Sequence, residues 1–324
     1  MWILCIALVE LARIWLVVRM VQYTLFFGNT SYWTIALIVT ADWFCMSVMS
    51  QVLNAFWPYY PSDYLRRDSW LGNWLRKRIH FQSELFGGDL DPSVKYIFAS
   101  HSHGILSTVQ LLMFMLYTDD SVLKTIPANT VSTIGSELMI FPLTNLICRL
   151  LGARSISPKN LEEALKSDQH VSIVPGGAKE ISFSRCDTKN ELHILKREGF
   201  LKLAYALKKP VVPILTLGNW SMYNVYSGPV WLQKFCLKHL NYGFPVFALG
   251  WYGTIVPHHT AFVRNLILAP VVVKEGETER EYIDRYYDGL FKIAKEYNIV
   301  LQLVSPDNIG AYLHIEQLRK ESKH

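Results

Sequence analysis

The sequence predicts an α/β fold, a mainly parallel sheet flanked by helices, preceded by an N-terminal membrane helical hairpin. Three observations lead there. From residue 61 onward, short β-prone apolar runs alternate with helix-length segments, the pattern of strands covered on both faces by crossover helices. Residues 1–60 instead carry two long apolar stretches separated only by Gly28-Asn29-Thr30-Ser31, a connection that suits antiparallel helices. Half of the 324 residues (51%) are apolar and only 18% charged, more apolar than an ordinary soluble domain and more polar than a polytopic membrane protein.

The first stretch, residues 1–27, is interrupted by Glu10, Arg13 and Arg19; Glu10 and Arg13 stand three apart and can pair on a helix. It lacks a small-residue cleavage site, so it is not read as a signal peptide. The second runs from about Tyr32 to Trp57 and, as a helix, measures roughly 39 Å, enough to cross a hydrocarbon core of about 30 Å with tilt. Arg66, Arg67, Arg76, Lys77 and Arg78 follow it and mark that side as cytosolic, which places both termini there. A re-entrant or interfacial hairpin and a buried hairpin of a soluble domain are the alternatives. The expected division is a hairpin over 1–60 and a membrane-associated, cytosol-facing domain over 61–324.

In that domain Tyr96–Ala99, Thr130–Ile134, Val171–Val174, Val211–Leu217 and Leu266–Val273 read as buried strands. Helices are expected over 105–117, 138–151, 160–167, 195–208 and 279–297. The last carries Tyr282, Tyr286, Leu290, Ile293 and Ala294 at helical spacing. Pro210 and Pro213 bracket Val211-Val212 and suggest an edge or first strand. The charge of +5 favours anionic headgroups or an anionic co-substrate, and without an Arg-rich tract nucleic-acid binding is excluded. Ten Trp and seventeen Tyr suit work at a lipid–water interface. Five cysteines without CxxC spacing read as reduced thiols.

The chemistry centres on His101-Ser102-His103-Gly104, between an apolar strand and a helix-length segment. A helix start there presents unpaired N–H groups beside two potential bases, the minimal equipment for acyl transfer. His103 is preferred as general base; His101 is the alternative, or shares or supports the role. Gly104, with Ile105, offers backbone N–H groups to an oxyanion. Two polar helix-capping residues, and a zinc pair, are competing readings; no other histidine shows metal-ligand spacing to these two, so no metal is expected.

Further along, Val174-Pro175-Gly176-Gly177-Ala178-Lys179-Glu180 runs from a strand into a Gly-Gly turn that permits close backbone approach. Glu180 is the candidate for orienting the base or the acceptor. Lys179, with Lys196 and Arg197 of the charged segment Leu195–Ala204, is a candidate for an anionic co-substrate, as are Gly176 and Gly177. The alternative for these charges is a solvated helix start.

Taken in order, His101-Ser102-His103-Gly104, Gly176-Gly177-Ala178-Lys179-Glu180, Arg197-Glu198-Gly199-Phe200 and Val212-Pro213 resemble the motifs of the diacylglycerol acyltransferase-2 family, which includes monoacylglycerol and wax-alcohol acyltransferases. The resemblance covers nearly the whole chain, most clearly residues 90–220. Ser102 stands where that family has proline, Tyr59-Tyr60-Pro61 resembles its Tyr-Phe-Pro, and Asn219-Trp220 replaces an acidic neighbour of Gly218. A more distant resemblance, to glycerolipid acyltransferases with a His-x4-Asp motif, finds Thr108 at the aspartate.

The resemblance implies a glycerolipid-acyltransferase-like fold and an acyl-CoA-dependent O-acyltransferase esterifying diacylglycerol or monoacylglycerol. It also implies acyl-CoA as co-substrate, no tightly bound cofactor, and residence in the endoplasmic reticulum membrane or on lipid droplets. A long-chain alcohol acceptor, a catalytically inactive lipid-binding relative and a metal-dependent hydrolase are the rivals. A homo-oligomer is compatible with the sequence.

Overall fold

The computed structural model describes residues 40–41, 44–45, 48, 70–87, 90–91, 93–105, 107–115, 130–135, 139, 145, 148–149, 151–166, 169–184, 187–239, 246–254 and 256–306. Of the expected hairpin, only Thr40, Ala41, Phe44, Cys45 and Val48 fall among them, all helical; the rest lies outside the described residues. No helix among the described residues is long and apolar enough to cross a membrane.

The strands are β1 (Phe81–Phe86), β2 (Ile97–His101), β3 (Thr130–Ile134), β4 (Ala153–Ser155), β5 (His170–Ile173), β6 (Glu191–Leu195), β7 (Val211–Leu217), β8 (Asn224–Ser227), β9 (Val246–Leu249), β10 (Val263–Leu268) and β11 (Val300–Val304). The longer helices are α1 (Trp70–Arg78), α2 (Pro158–Lys166), α3 (Gly177–Ser184), α4 (Gly199–Ala206), α5 (Val230–His239) and α6 (Glu279–Glu296).

The chain forms two compact units, Met1–Ser62 with Ile134–Ile156, and Asp63–Thr133 with Ser157–His324. In the smaller unit the Arg149 guanidinium donates to Asn145 Oδ1 at 2.7 Å, and Ile156 N–H donates to the Ile134 carbonyl at 2.8 Å. In the larger, six strands lie side by side in the order β1-β10-β7-β2-β5-β3. All neighbours are parallel except β10 and β7. β2 and β5 are buried along their whole length, which is why both read as unbroken β-prone runs rather than alternating ones. On the core side, α6 buries Tyr282, Ile283, Tyr286, Tyr287, Leu290, Ile293 and Ala294. Its start is fixed by a capping box in which Thr278 and Glu281 satisfy each other's backbone N–H.

The parallel register sets the function-bearing geometry. β2, β5 and β7 end on the same side of the sheet, so the segments that follow them, His101–Gly104, Pro175–Gly177 and Gly218–Asn219, converge at the carboxyl ends of three adjacent strands. This is where open α/β sheets place ligands.

Several expectations are corrected. Pro213 does not mark an edge, since β7 is flanked by both β10 and β2. Val211 exchanges both backbone hydrogen bonds with Val271, whereas regular pairing to β10 starts at Ile214↔Ile267. Pro213, lacking an N–H, falls in that interruption, where no donor is required. The strand expected over 266–273 is β10, ending at Leu268, because Ala269-Pro270 precedes the single bridge of Val271.

The helix expected from 195 begins at Gly199; Leu195 instead closes β6, which pairs in parallel with β11. The helix expected over 105–117 is a turn of three residues, Thr108–Gln110, continuing as a π-helix over Leu111–Met115, with residues 116–117 outside the described set. Of 138–151, the described residues Asn145, Cys148 and Arg149 are α-helical, Met139 is in a 3-10 turn, and Leu151 already lies in a turn.

Candidate active site

β2 delivers its last residue, His101, into full burial, with Nε2 2.9 Å from the Tyr286 hydroxyl and Nδ1 without a partner. Desolvation pushes its pKa down to about 3, so the ring is neutral and acts as a strut against α6. The peptide between His101 and Ser102 is cis.

His103, two residues on, is half-buried and arranged differently. Its Nδ1 lies 2.8 Å from the Gly104 carbonyl oxygen. A carbonyl can only accept, so Nδ1 carries the proton and Nε2 presents a lone pair. That lone pair meets a hydroxyl: Ser107 Oγ stands 2.8 Å from Nε2. Ser107 is held there by a left-handed backbone (φ 48°, ψ 32°), uncommon for a residue with a side chain. Desolvation lowers the pKa of His103, partly offset by the Gly104 carbonyl.

Glu180 sits in the first turn of α3, buried. One carboxyl oxygen accepts the His103 backbone N–H at 2.5 Å and the other the Leu195 N–H at 3.0 Å. It therefore orients the base through the backbone and not through the ring. Burial drives its pKa up to about 8 against the two N–H donors, which pull the other way, and neighbouring Asp187 adds to the rise. Gly176 leaves room for this carboxyl, since a β-carbon there would lie 1.7 Å from Glu180 Oε2. Gly176→Ala should accordingly cost about 1–3 kcal/mol of stability, as overpacking does, read as a lowered unfolding midpoint.

The turn between the histidines is braced by residues to which the motif reading gave no role at the site. Ser102 Oγ donates to Asp187 Oδ2 at 3.2 Å, and Asp187 Oδ1 accepts the His193 backbone N–H at 2.8 Å. Asn219 Nδ2 donates to the Ser102 carbonyl at 3.0 Å and packs against Gly104, whose φ of 63° and 3.2 Å clearance to Asn219 Cγ both favour glycine. In the sequence Asn219 is marked by Gly218 before it and by the departure from the family's acidic residue there. With φ 89° and the Phe262 carbonyl 2.0 Å from where a β-carbon would be, Gly218 turns the chain sharply after β7. Thr108, at the distant motif's aspartate, bonds Tyr223 OH at 2.9 Å.

The structure brings His101, His103, Gly104, Gly176 and Glu180 to one place. Gly177 (φ 56°) starts α3, with Lys179 half-buried in its first turn. Lys196 is drawn into an ion pair with Glu198 at 3.3 Å, its ammonium 5.7 Å from the centre of the Tyr287 ring. Arg197 is tied in by its backbone, exchanging hydrogen bonds with the Tyr287 hydroxyl. Among the described residues, no group of three or more His, Cys, Asp or Glu side chains converges as metal ligands would.

The family model for diacylglycerol acyltransferase matches residues 36–298, which include every one of these positions. The chain belongs to the diacylglycerol acyltransferase family. It is 30% identical over 161 residues to diacylglycerol O-acyltransferase 2 of Dictyostelium discoideum, a match spanning 48% of this chain and 48% of that protein. It is also 27% identical over 266 residues to 2-acylglycerol O-acyltransferase 1 of Bos taurus, covering 74% of this chain and 79% of that one. The chain thus spans about half the length of the first of these relatives. Among solved structures, it is similar to the 1-acyl-sn-glycerophosphate acyltransferase PlsC from Thermotoga maritima. That similarity has a TM-score of 0.42 and 13% identity, over 79% of this chain and 97% of that one.

Proposed function

We propose that this chain is an acyl-CoA-dependent O-acyltransferase that esterifies a hydroxyl of diacylglycerol or monoacylglycerol, with His103 as general base. The observation that carries the reading is the Nε2 lone pair of His103, paired at 2.8 Å with a hydroxyl, that of Ser107. An acceptor alcohol displacing Ser107 meets the same lone pair at the same range, the geometry that general-base catalysis needs.

The acceptor O–H proton passes to Nε2 as its oxygen attacks the thioester carbonyl. The tetrahedral oxyanion is held by the N–H groups of Gly104 and Ile105; losing one such donor typically costs about 2.7–4 kcal/mol. The C–S bond then breaks, and the thiolate of coenzyme A takes the proton back from the imidazolium. Acyl-CoA is a co-substrate, and no resident cofactor takes part. His101 and Glu180 are positioning residues, the first through Tyr286 and the second through the His103 backbone. The apolar residues 1–60 support anchoring in the endoplasmic reticulum membrane, both termini cytosolic, so that the acceptor enters from lipid.

The test uses membranes expressing the wild type, labelled acyl-CoA, and diacylglycerol, monoacylglycerol, long-chain alcohol or lysophospholipid, each with and without chelator. Labelled triacylglycerol or diacylglycerol is expected, indifferent to chelator. Wax ester instead would make the acceptor an alcohol. Binding of lipid with no turnover would make the chain an inactive lipid-binding relative, and activity restored only by zinc would favour metal chemistry.

The Ser107–His103 contact also favours a second reading. In it Ser107 Oγ attacks the thioester, its proton passing to Nε2 and on to the departing thiolate, and the resulting acyl-serine ester is then attacked by the acceptor. Direct transfer predicts no protein-bound label when labelled acyl-CoA is mixed with enzyme lacking acceptor. It also predicts that Ser107→Ala stays within about tenfold of wild type, the loss of one hydrogen bond. A labelled ester absent from Ser107→Ala would favour the two-step route.

A further inference from the structure

The end of the sheet that carries His103 also carries a cationic depression. α1 finishes on Arg76, Lys77 and Arg78, and His80 (φ 44°) turns the chain into β1. β10 starts just after His259. Because β1 and β10 run parallel with Phe81 opposite Val263, their lead-ins meet. Trp74, Lys77, Arg78, His80 and His259 line an open cavity of about 310 Å³ between them. Four of the five carry or can take a positive charge, and none is acidic.

Arg78 is fixed in place. Its Nε donates to the Pro257 carbonyl at 3.1 Å, and its guanidinium lies 4.1 Å from the Trp251 ring centre and 5.5 Å from that of Trp74. Its Nη2 is buried with no partner. A guanidinium held against two rings at the lining of this cavity is preorganised for a phosphate. Beside it Trp70, 77% exposed and stacked on Trp74 at 6.4 Å, offers a ring face on which a purine can stack.

The register supplies the distance. His101 lies opposite Leu215, Leu217 opposite Arg264, and Val263 opposite Phe81. The cavity is therefore three strands from the histidine turn along one sheet end, roughly 14 Å at about 4.8 Å per strand. The pantetheine arm of coenzyme A is about as long as four residues of extended backbone, roughly 13–14 Å. Lys196, by contrast, is already paired with Glu198.

We infer that this cavity binds the nucleotide phosphates of coenzyme A, with the arm running along the carboxyl end of β7 to deliver the thioester to His103. The inference rests on the acyl-CoA reading above and locates the anionic end of that co-substrate.

The experiment takes the full chain in phosphatidylcholine–detergent micelles as wild type, Lys77→Glu, His259→Glu and the double variant. Both side chains are exposed, so the core is not disturbed. Binding of coenzyme A, of pantetheine and of vesicles with and without phosphatidylserine is measured, together with KM for acyl-CoA and for the acylglycerol. Coenzyme A affinity should fall by about tenfold per substitution, ~1.4 kcal/mol. KM for acyl-CoA should rise in step, while pantetheine affinity and the acylglycerol KM hold. Unchanged coenzyme A binding overturns the inference. So does a loss confined to binding of phosphatidylserine-containing vesicles, which gives the cavity to a lipid headgroup. A wild type that turns over with a KM indifferent to both substitutions overturns the cavity alone, whereas one that binds no coenzyme A overturns the acyltransferase reading with it.

Discussion

His103→Ala should lower kcat by about 10²- to 10⁴-fold, the usual contribution of a positioned general base. The effect should fall on kcat and kcat/KM together, because the imidazole acts on a proton that moves only in the transition state. Acceptor and acyl-CoA binding should be largely retained, since the ring's own contacts are confined to the Gly104 carbonyl and Ser107. His101→Ala should behave otherwise. It empties a wholly buried site against Tyr286 and should reduce stability and activity together. Initial rates at saturating acyl-CoA, with unfolding midpoints for both variants, separate the two roles.

Glu180→Ala should be the most damaging change to stability. It leaves the N–H groups of His103 and Leu195 without their acceptor, at about 1–3 kcal/mol for each buried donor. Glu180→Gln should rescue only in part, since its NH2 must face one of those two donors. The raised carboxyl pKa adds a pH signature. Between the ordinary carboxylate value of 4.5 and about 8 the native chain binds a proton that the unfolded chain has lost. Stability from this group is therefore full at low pH and declines as pH rises through 8. The two histidines with lowered pKa values act in the opposite sense and only below 6.5, whereas buried Asp187, its pKa also raised by desolvation, acts in the same sense, so the share of Glu180 between 6.5 and 8 is read from the difference between wild type and Glu180→Ala. Unfolding midpoints across that window should fall in the wild type and flatten in Glu180→Ala.

Much of this was legible in the sequence because the central strands bury both faces. Thr130–Ile134 and Val211–Leu217 are found with the expected bounds, and β2 and β5 within two residues at either end. The peripheral strands were not legible. Glu191-Leu192-His193-Ile194-Leu195 alternates polar and apolar over only part of its length, and β11 becomes a strand by pairing with it, a contact more than a hundred residues away.

The same limit applies at the site. His101, His103, Gly104 and Glu180 stand out because glycines and paired histidines punctuate apolar runs. Asp187, Asn219 and Tyr286 are ordinary polar residues in sequence and acquire their roles from the carboxyl-end convergence of β2, β5 and β7. Ser107 falls inside the helix expected over 105–117, and nothing local foretells a left-handed backbone that turns its hydroxyl onto Nε2. Gly176 read as a ligand cradle; its close neighbour is the carboxyl of Glu180.

The most direct test of His103 as base is the pH dependence of kcat/KM for acyl transfer in wild type and His103→Ala. Because the imidazole pKa lies below the ordinary 6.5, the wild-type rate should be flat through neutrality and fall on an acid limb centred below pH 6.5. That limb should be missing from the residual activity of His103→Ala. An acid limb of unchanged position and depth in His103→Ala would assign the titrating group elsewhere and contradict the mechanism.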